Sequence, residues 1–431
     1  MPNVVTGDLG VVGSLVAIAR CRHRPWHALM TRAVRVAGLL AVVTACGGEQ
    51  RHDKGASAVV RAYDEPHRPQ LHFSPASGWM NDPNGLVYHA GVYHLFYQYY
   101  PDSTVWGPMH WGHAVSRDMV HWTPQPIALR PDSLGYIFSG SAVFDSTNTS
   151  RLGAPNRPPL VAMFTYHNPT GEKAGSSNFQ SQAIAWSTDE GNSWSKYTAN
   201  PVIPNPGSTR DFRDPKVTWD ADRSRWVVVL AAGDHAEFWA SPNLTTWTKL
   251  SEFGKGLGSH DGVWECPDFF PMVVDGTTER RWVLLQSVGQ GHPNGGTGTQ
   301  YFIGDFDGTR FTVDPQFARA VQHGNAQWVD FGRDDYAGVT WSNAPDGRRL
   351  FLGWMSNWQY ATRVPTTSWR SAMTVPRELT LVKAASGYRL RMTPIAEFNR
   401  LRRQTRPLTH NQSTAYSTSR NRRALRRCCW S

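Results

Sequence analysis

The stretch Trp226-Val-Val-Val-Leu-Ala-Ala232 is a short apolar, β-branched run with no 3.6-residue period, and such a run reads as a strand. Four more stretches look like it: Tyr93–Tyr99, Leu160–Tyr166, Trp282–Val288 and Leu350–Ser356. They recur at spacings of about 55–70 residues, a period that points to the blades of a β-propeller. A second repeat supports the count. Ser116-Arg-Asp-Met-Val-His-Trp122, Ser187-Thr-Asp-Glu-Gly-Asn-Ser-Trp194 and Ser241-Pro-Asn-Leu-Thr-Thr-Trp247 each pair a polar turn with a closing Trp. The expected fold is therefore all-β, a five-bladed propeller; a β-sandwich with coincidental turns is the alternative.

Each run follows an earlier strand, so the two form a hairpin. The start of that earlier strand carries a polar group in every blade: Asn81-Asp82, Ser139, Arg213-Asp214, Glu265 and Asp335-Tyr336. Innermost propeller strands run side by side along the central channel, so equivalent ends converge on one mouth. Unrelated turns have no reason to repeat acids, Arg and Ser at one position, whereas a shared pocket does.

Three acids stand out within Trp79-Met80-Asn81-Asp82-Pro83-Asn84-Gly85, Phe212-Arg213-Asp214-Pro215 and Trp264-Glu265-Cys266-Pro267-Asp268. Taken singly, Asp82 is as readily a turn former as a catalyst. Arg213-Asp214 alone is an ordinary surface pair, and Glu265 alone an edge residue. Their shared blade position favours chemistry. Cleaving an acetal needs a proton for the leaving oxygen and a nucleophile or activated water, which two carboxyls in different environments supply; a retaining enzyme holds them roughly 5–5.5 Å apart. Glu265, flanked by Trp264, Cys266 and Phe269, is the carboxyl expected to be desolvated and protonated. Asp82 beside the Asn81 amide suits the ionised nucleophile. Asp214 is then free to accept sugar hydroxyls, with Arg213 holding a further oxygen.

These three blocks resemble the signature motifs of glycoside hydrolase family 32. The likeness extends through Phe96–Tyr99, Trp106–His113, Phe138–Ser141 and Gly353–Tyr360, covering roughly residues 66–403, and is nearer to levanases and exo-inulinases than to plant invertases. It implies retaining hydrolysis of fructosyl bonds in fructans or sucrose, without metal or cofactor. It also implies a fructose-binding shell of Asn81, Gln98, Trp106, Phe138, Ser139, Arg213, Asp214, Tyr336 and Trp358. Apolar sugar faces stack on aromatics, and Trp106, Trp111 and Trp358 in Gly- and Asn-containing loops are the stacking candidates. Trp122, Trp194 and Trp247 read as structural. His110, His113 and His260 show no metal spacing and read as hydrogen-bonding neighbours. A sucrose-restricted invertase, a propeller glycosidase acting on arabinose polymers and a non-catalytic carbohydrate-binding propeller are the competing readings. The intact acid triplet disfavours the last.

The net charge of +10 is confined to the ends. Residues 1–52 carry +4 and residues 400–431 carry +9, so the body between them is at −3. That argues against a nucleic-acid groove and suits an uncharged substrate. The five cysteines imply no disulfide framework. Residues 1–46 read as a leader with Met30 as the better start; Arg32 and Arg35, the run Val36–Val43 and the site Val43-Thr-Ala-Cys-Gly47 resemble a bacterial lipoprotein signal that lipidates Cys46. A buried helix or an ordinary signal peptide is the alternative. A lipid anchor is then the expected route to a membrane, in a secreted or cell-envelope protein. Residues 47–65 are expected as a linker, 66–403 as the propeller and 404–431 as a disordered basic tail from a shifted reading frame. The tail stands where the family continues into a C-terminal β-sandwich, whose loss would expose an apolar flank.

Overall fold

The computed structural model describes residues 63–403. The expected leader, its Cys46 and the tail 404–431 lie outside these residues. The last residues of the expected linker belong to the body: Glu65 pairs with the buried Arg68 at 2.7 Å, and Tyr63 lies under the Arg68 guanidinium at 4.7 Å.

Five sheets arranged as blades form the propeller. Blade 1 holds β1 (Gly78–His89), β2 (Val92–Tyr100), β3 (His110–Ser116) and β4 (Thr123–Leu129). Blade 2 holds β5 (Tyr136–Phe144), β6 (Leu160–His167), β7 (Gln180–Ser187) and β8 (Ser195–Lys196), with the short helix α1 (Pro169–Lys173) between its second and third strands. Blade 3 holds β9 (Phe212–Asp220), β10 (Arg225–Ala232), β11 (His235–Ser241) and β12 (Thr248–Phe253). Blade 4 holds β13 (Trp264–Val273), β14 (Arg280–Val288), β15 (Gly298–Phe306) and β16 (Phe311–Val313). Blade 5 holds β17 (Tyr336–Thr340) and β18 (Arg349–Trp354). After β18 the chain crosses to blade 1 as β19 (Trp369–Arg370) and returns as β20 (Arg377–Ala384) and β21 (Gly387–Pro394).

The five matched runs are β2, β6, β10, β14 and β18, the second strand of each blade. Their apolar residues are nearly continuous because neighbouring blades cover both faces; every residue of β6 is buried. The core accordingly lies between blades. Val87, Phe96 and Trp111 meet Ile137 and Phe164 between blades 1 and 2, and Phe238 meets Phe269 and Phe306 between blades 3 and 4. The ring is latched where β19 pairs in parallel with the start of β1, Gly78 opposite Trp369. Gly78 has φ +79°, and a Cβ there would stand 2.5 Å from the Tyr100 carbonyl oxygen, so only glycine fits.

The repeated turns join third to fourth strands. In each the Ser hydroxyl accepts a backbone N–H two residues on, and the Trp indole donates back to a turn carbonyl: Trp122 to Met119 (3.1 Å), Trp194 to Gly191 (3.1 Å) and Trp247 to Leu244 (2.9 Å). These Trp residues are structural, as expected. The large exposed apolar side chains outside the cavity lining, Leu71, Val105, Leu134, Trp219, Val273 and Phe331, come from different blades and connections.

Candidate active site

All five innermost strands carry a bulge near the same end. In each, two residues face one on the second strand: Asn81-Asp82 in β1, Phe138-Ser139 in β5, Asp214-Pro215 in β9, Cys266-Pro267 in β13 and Ala337-Gly338 in β17. A bulge breaks the ladder and re-aims side chains, and proline, which has no N–H to pair, is tolerated there. Asp214, Cys266 and Ala337 hold positive φ of 63°, 46° and 54°. Such backbone is costly for these residue types and persists only where the surroundings impose it. The equivalence read from the sequence thus holds to within a residue or two.

The bulges bring Asp82, Asp214 and Glu265 to one cavity of about 540 Å³, also lined by Asn81, Gln98, Trp106, Phe138, Ser139, Arg213 and Trp358. Asp82 accepts from Asn81 Nδ2 (3.0 Å) and Ser139 Oγ (2.7 Å), and Cys266 Sγ lies 3.5 Å from its Oδ2. Asp214 Oδ2 accepts from the Cys266 backbone N–H at 3.0 Å, with Cys266 Sγ at 3.6 Å and Arg213 Nε at 3.9 Å. Glu265 is paired with Arg213 Nη2 at 3.0 Å, and its other oxygen accepts from the Tyr336 hydroxyl.

The exposure corrects one expectation. Desolvation was expected at Glu265, but Trp264 and Phe269 turn into the blade core and the Glu265 side chain is a quarter exposed. Burial, and then the charge of Glu265, pushes Asp82 above the usual carboxylate range against its three donors. Burial pushes Asp214 up to about 7, with Arg213 pulling the other way. Burial works against charge on Arg213 as well, yet Glu265, Asp214 and Asp211 hold it firmly protonated. Burial and the adjacent carboxylates keep the Cys266 thiol protonated and able to donate.

Arg213 lines the cavity and is engaged there with Glu265 and with Asp211 (2.5 Å). Two residues differ from expectation. Tyr336 is buried behind Glu265 and does not line the cavity. Trp111 is no loop residue: it lies in β3, fully buried, its indole donating to the Phe138 carbonyl at 3.0 Å. Trp106 and Trp358 do line the mouth, 40% and 37% exposed. Trp106 meets the Phe138 ring edge-on and Trp358 stacks on Trp79. Gln98 faces the β1 bulge, tied to the Ile137 carbonyl at 3.0 Å.

His113 is buried between strands, bonded to His94, while His110 and His260 bond backbone carbonyls. Among the described residues, one group could bring three metal-ligand atoms together, His235, Glu237 and Glu252 on blade 3. Lys249 Nζ already sits 2.6 and 2.8 Å from its two carboxylates. Sequence reading missed Cys266 as a contact of two acids, and missed His167, Glu172, Phe179 and Gln180 in the cavity wall. The Cys266-Pro267 step at a blade start was the available signal for the first.

The model for the Glycosyl hydrolases family 32 N-terminal domain matches residues 72–394. The chain belongs to glycoside hydrolase family 32. A levanase of Bacillus subtilis is 54% identical over 343 residues, 79% of this chain and 48% of that protein. An extracellular exo-inulinase of Aspergillus niger is 45% identical over 341 residues, 74% of this chain and 63% of that protein. Among solved structures, the exo-inulinase of Aspergillus awamori superposes with a TM-score of 0.71 at 43% identity, covering 77% of this chain and 68% of its own. The family 32 chain thus spans about half the length of the curated levanase it matches.

Proposed function

We propose that this family 32 chain is a retaining β-fructosidase that releases fructose from β-fructans and from sucrose, with Asp82 as nucleophile, Glu265 as acid/base and Asp214 as transition-state stabiliser. The observation that carries this reading is the meeting of three carboxylates from blades 1, 3 and 4 in one cavity, with Arg213 between two of them. In the first step Glu265 passes its proton to the leaving oxygen while an Asp82 oxygen attacks the anomeric carbon. The sugar–oxygen bond breaks and a fructosyl ester forms. In the second step Glu265, now a carboxylate, takes a proton from water; the water oxygen attacks the same carbon and frees Asp82, restoring the configuration.

The other residues serve these two steps. Ser139 and Asn81 donate to Asp82 and favour its ionised form. Arg213 and Tyr336 grip the two oxygens of Glu265 and fix its direction. Asp214 accepts sugar hydroxyls whose hydrogen bonds strengthen as positive charge develops on the ring. Trp106 and Trp358 offer apolar faces at the mouth. The exo-inulinase relative is named extracellular, which agrees with a working place outside the cytoplasm, and the lipoprotein-like site at Cys46 supplies an anchor. Loss of membrane retention in Cys46→Ala tests the anchor.

The test of activity is incubation of the purified protein with levan, inulin and sucrose, with NMR of the first fructose released. The β-anomer is expected, with no response to chelators. An inverted first product, no fructose from any of the three, or inactivation by a chelator overturns the reading.

A further inference from the structure

The wall of the cavity beyond the three acids is as ordered as its floor. From Glu265 a chain of polar contacts runs outward: Arg213 Nη1 donates to Asp211 at 2.5 Å and to Gln180 Oε1 at 3.4 Å, and Gln180 Nε2 meets His167 Nδ1 at 3.4 Å. His167 Nε2 meets Glu172 Oε2 at 3.1 Å, and Arg210 Nη2 donates to Glu172 Oε1 at 3.2 Å. Each oxygen of Glu172 is thus held once. A carboxylate has about four acceptor sites, so two remain open.

The scaffold behind Glu172 is fixed by local chemistry. His167 ends β6, buried, with its ring stacked on Phe138 at 4.2 Å and 7°. Asn168 caps α1, its Oδ1 accepting from the Thr170 and Gly171 N–H groups at 3.0 Å. Glu172 projects from α1 with 39% of its side chain exposed, and the Arg210 guanidinium lies over the Phe179 ring at 4.7 Å. Glu172, Phe179 and Gln180 all line the cavity. A volume of 540 Å³ amounts to about eighteen water volumes at roughly 30 Å³ each, room for more than one hexose ring.

We propose that Glu172, backed by His167 and flanked by Arg210 and Phe179, binds the sugar on the leaving side of the scissile bond and sets which leaving groups the enzyme accepts. This rests on the reading of the cavity as a β-fructosidase site. The acid passes its proton to the leaving oxygen, so the leaving unit lies on the Glu265 side, where this chain of contacts begins. Two open acceptor sites on a fixed carboxylate match a pair of neighbouring sugar hydroxyls, a charge-assisted contact. The Phe179 ring supplies the apolar wall. Because both Glu172 oxygens are already oriented, little ordering cost remains when the sugar arrives.

The experiment compares kcat/KM for sucrose and for a fructose–fructose disaccharide with kcat/KM for an aryl β-fructofuranoside, whose leaving group has no hydroxyl pair. In Glu172→Gln the disaccharide-to-aryl ratio is expected to fall about tenfold, the scale of a lost hydrogen bond to a charged group. Arg210→Gln, which leaves the carboxylate in place, is expected to lower the ratio less and serves as the second variant should the first not fold. A ratio that stays constant in both variants, whether because both substrates are untouched or because both suffer equally, overturns the proposal and leaves Glu172 a structural partner of His167. A wild-type protein that cleaves none of the substrates overturns instead the β-fructosidase reading beneath it.

Discussion

Ser139→Ala separates two roles for one hydroxyl. The family resemblance implies a sugar contact, whereas Ser139 Oγ, on a residue only 5% exposed, donates to Asp82 Oδ2 at 2.7 Å. Asp82 is already raised by burial and by the charge of Glu265, and its donors counter that rise. Removing one donor disfavours the ionised nucleophile further. A hydrogen bond to a charged group contributes roughly 1.5–3 kcal/mol, which at 1.36 kcal/mol per decade is roughly 10- to 150-fold in the ionised fraction. The sign follows from which form reacts: at acid pH the variant has less ionised Asp82, so its kcat/KM falls by that factor and the ascending limb of the pH profile moves to higher pH. Above both limbs Asp82 is ionised in either protein and the two curves converge. The assay is kcat/KM for sucrose across the acid and neutral range. A loss of equal size at every pH would refute this reasoning, because it means that Ser139 serves the substrate and not the nucleophile.

The remaining expectations concern the acids and the fold. Glu265→Gln should cost about 10²–10⁴ on sucrose but far less on an aryl fructoside with a good leaving group, while Asp82→Asn should lose both; equal losses for both substrates in the Glu265 variant would sink the assignment. Asp214→Asn should lower kcat more than it raises KM, because a clamp that tightens in the transition state adds little to ground-state binding; steady-state kinetics showing only a raised KM argue for a simple binding role. Asp335, pushed up to about 7 by burial against the pull of Arg377, stays protonated in the fold while the unfolded chain ionises. It therefore stabilises below the ordinary carboxylate range and loses that contribution as pH rises towards 7. The stability difference between Asp335→Asn and wild type should drift by about 4 kcal/mol in the variant's favour across that window, measured by urea unfolding at its two ends, and a pH-independent difference contradicts it.

Much of this was legible in the chain itself. Trp226–Ala232 and its four counterparts announce the second strands because a strand covered on both faces is apolar throughout, and that composition is a local property. The Asp82, Asp214 and Glu265 blocks could be aligned because each starts an innermost strand, and the Ser…Trp turns because their hydrogen bonds close within a few residues. Trp111 was misread because its surroundings, Gly107, Pro108 and Gly112, look like a loop until β3 pairs with β2.

What tertiary structure decided is everything that sums over several blades. Burial raises Asp82 and Asp214 because the neighbours that count come from other blades, while apolar sequence neighbours point away along a pleated strand. The Tyr336 hydroxyl on Glu265 and the Cys266 thiol between two acids join residues from different blades, as far as 184 positions apart in the case of Cys266 and Asp82. Sequence determined which residues carry chemistry, since residue type and strand pattern are written locally. The closed ring of bulged strands determined which of them are buried, paired and aimed, because solvation and hydrogen-bond geometry are set by distance in space.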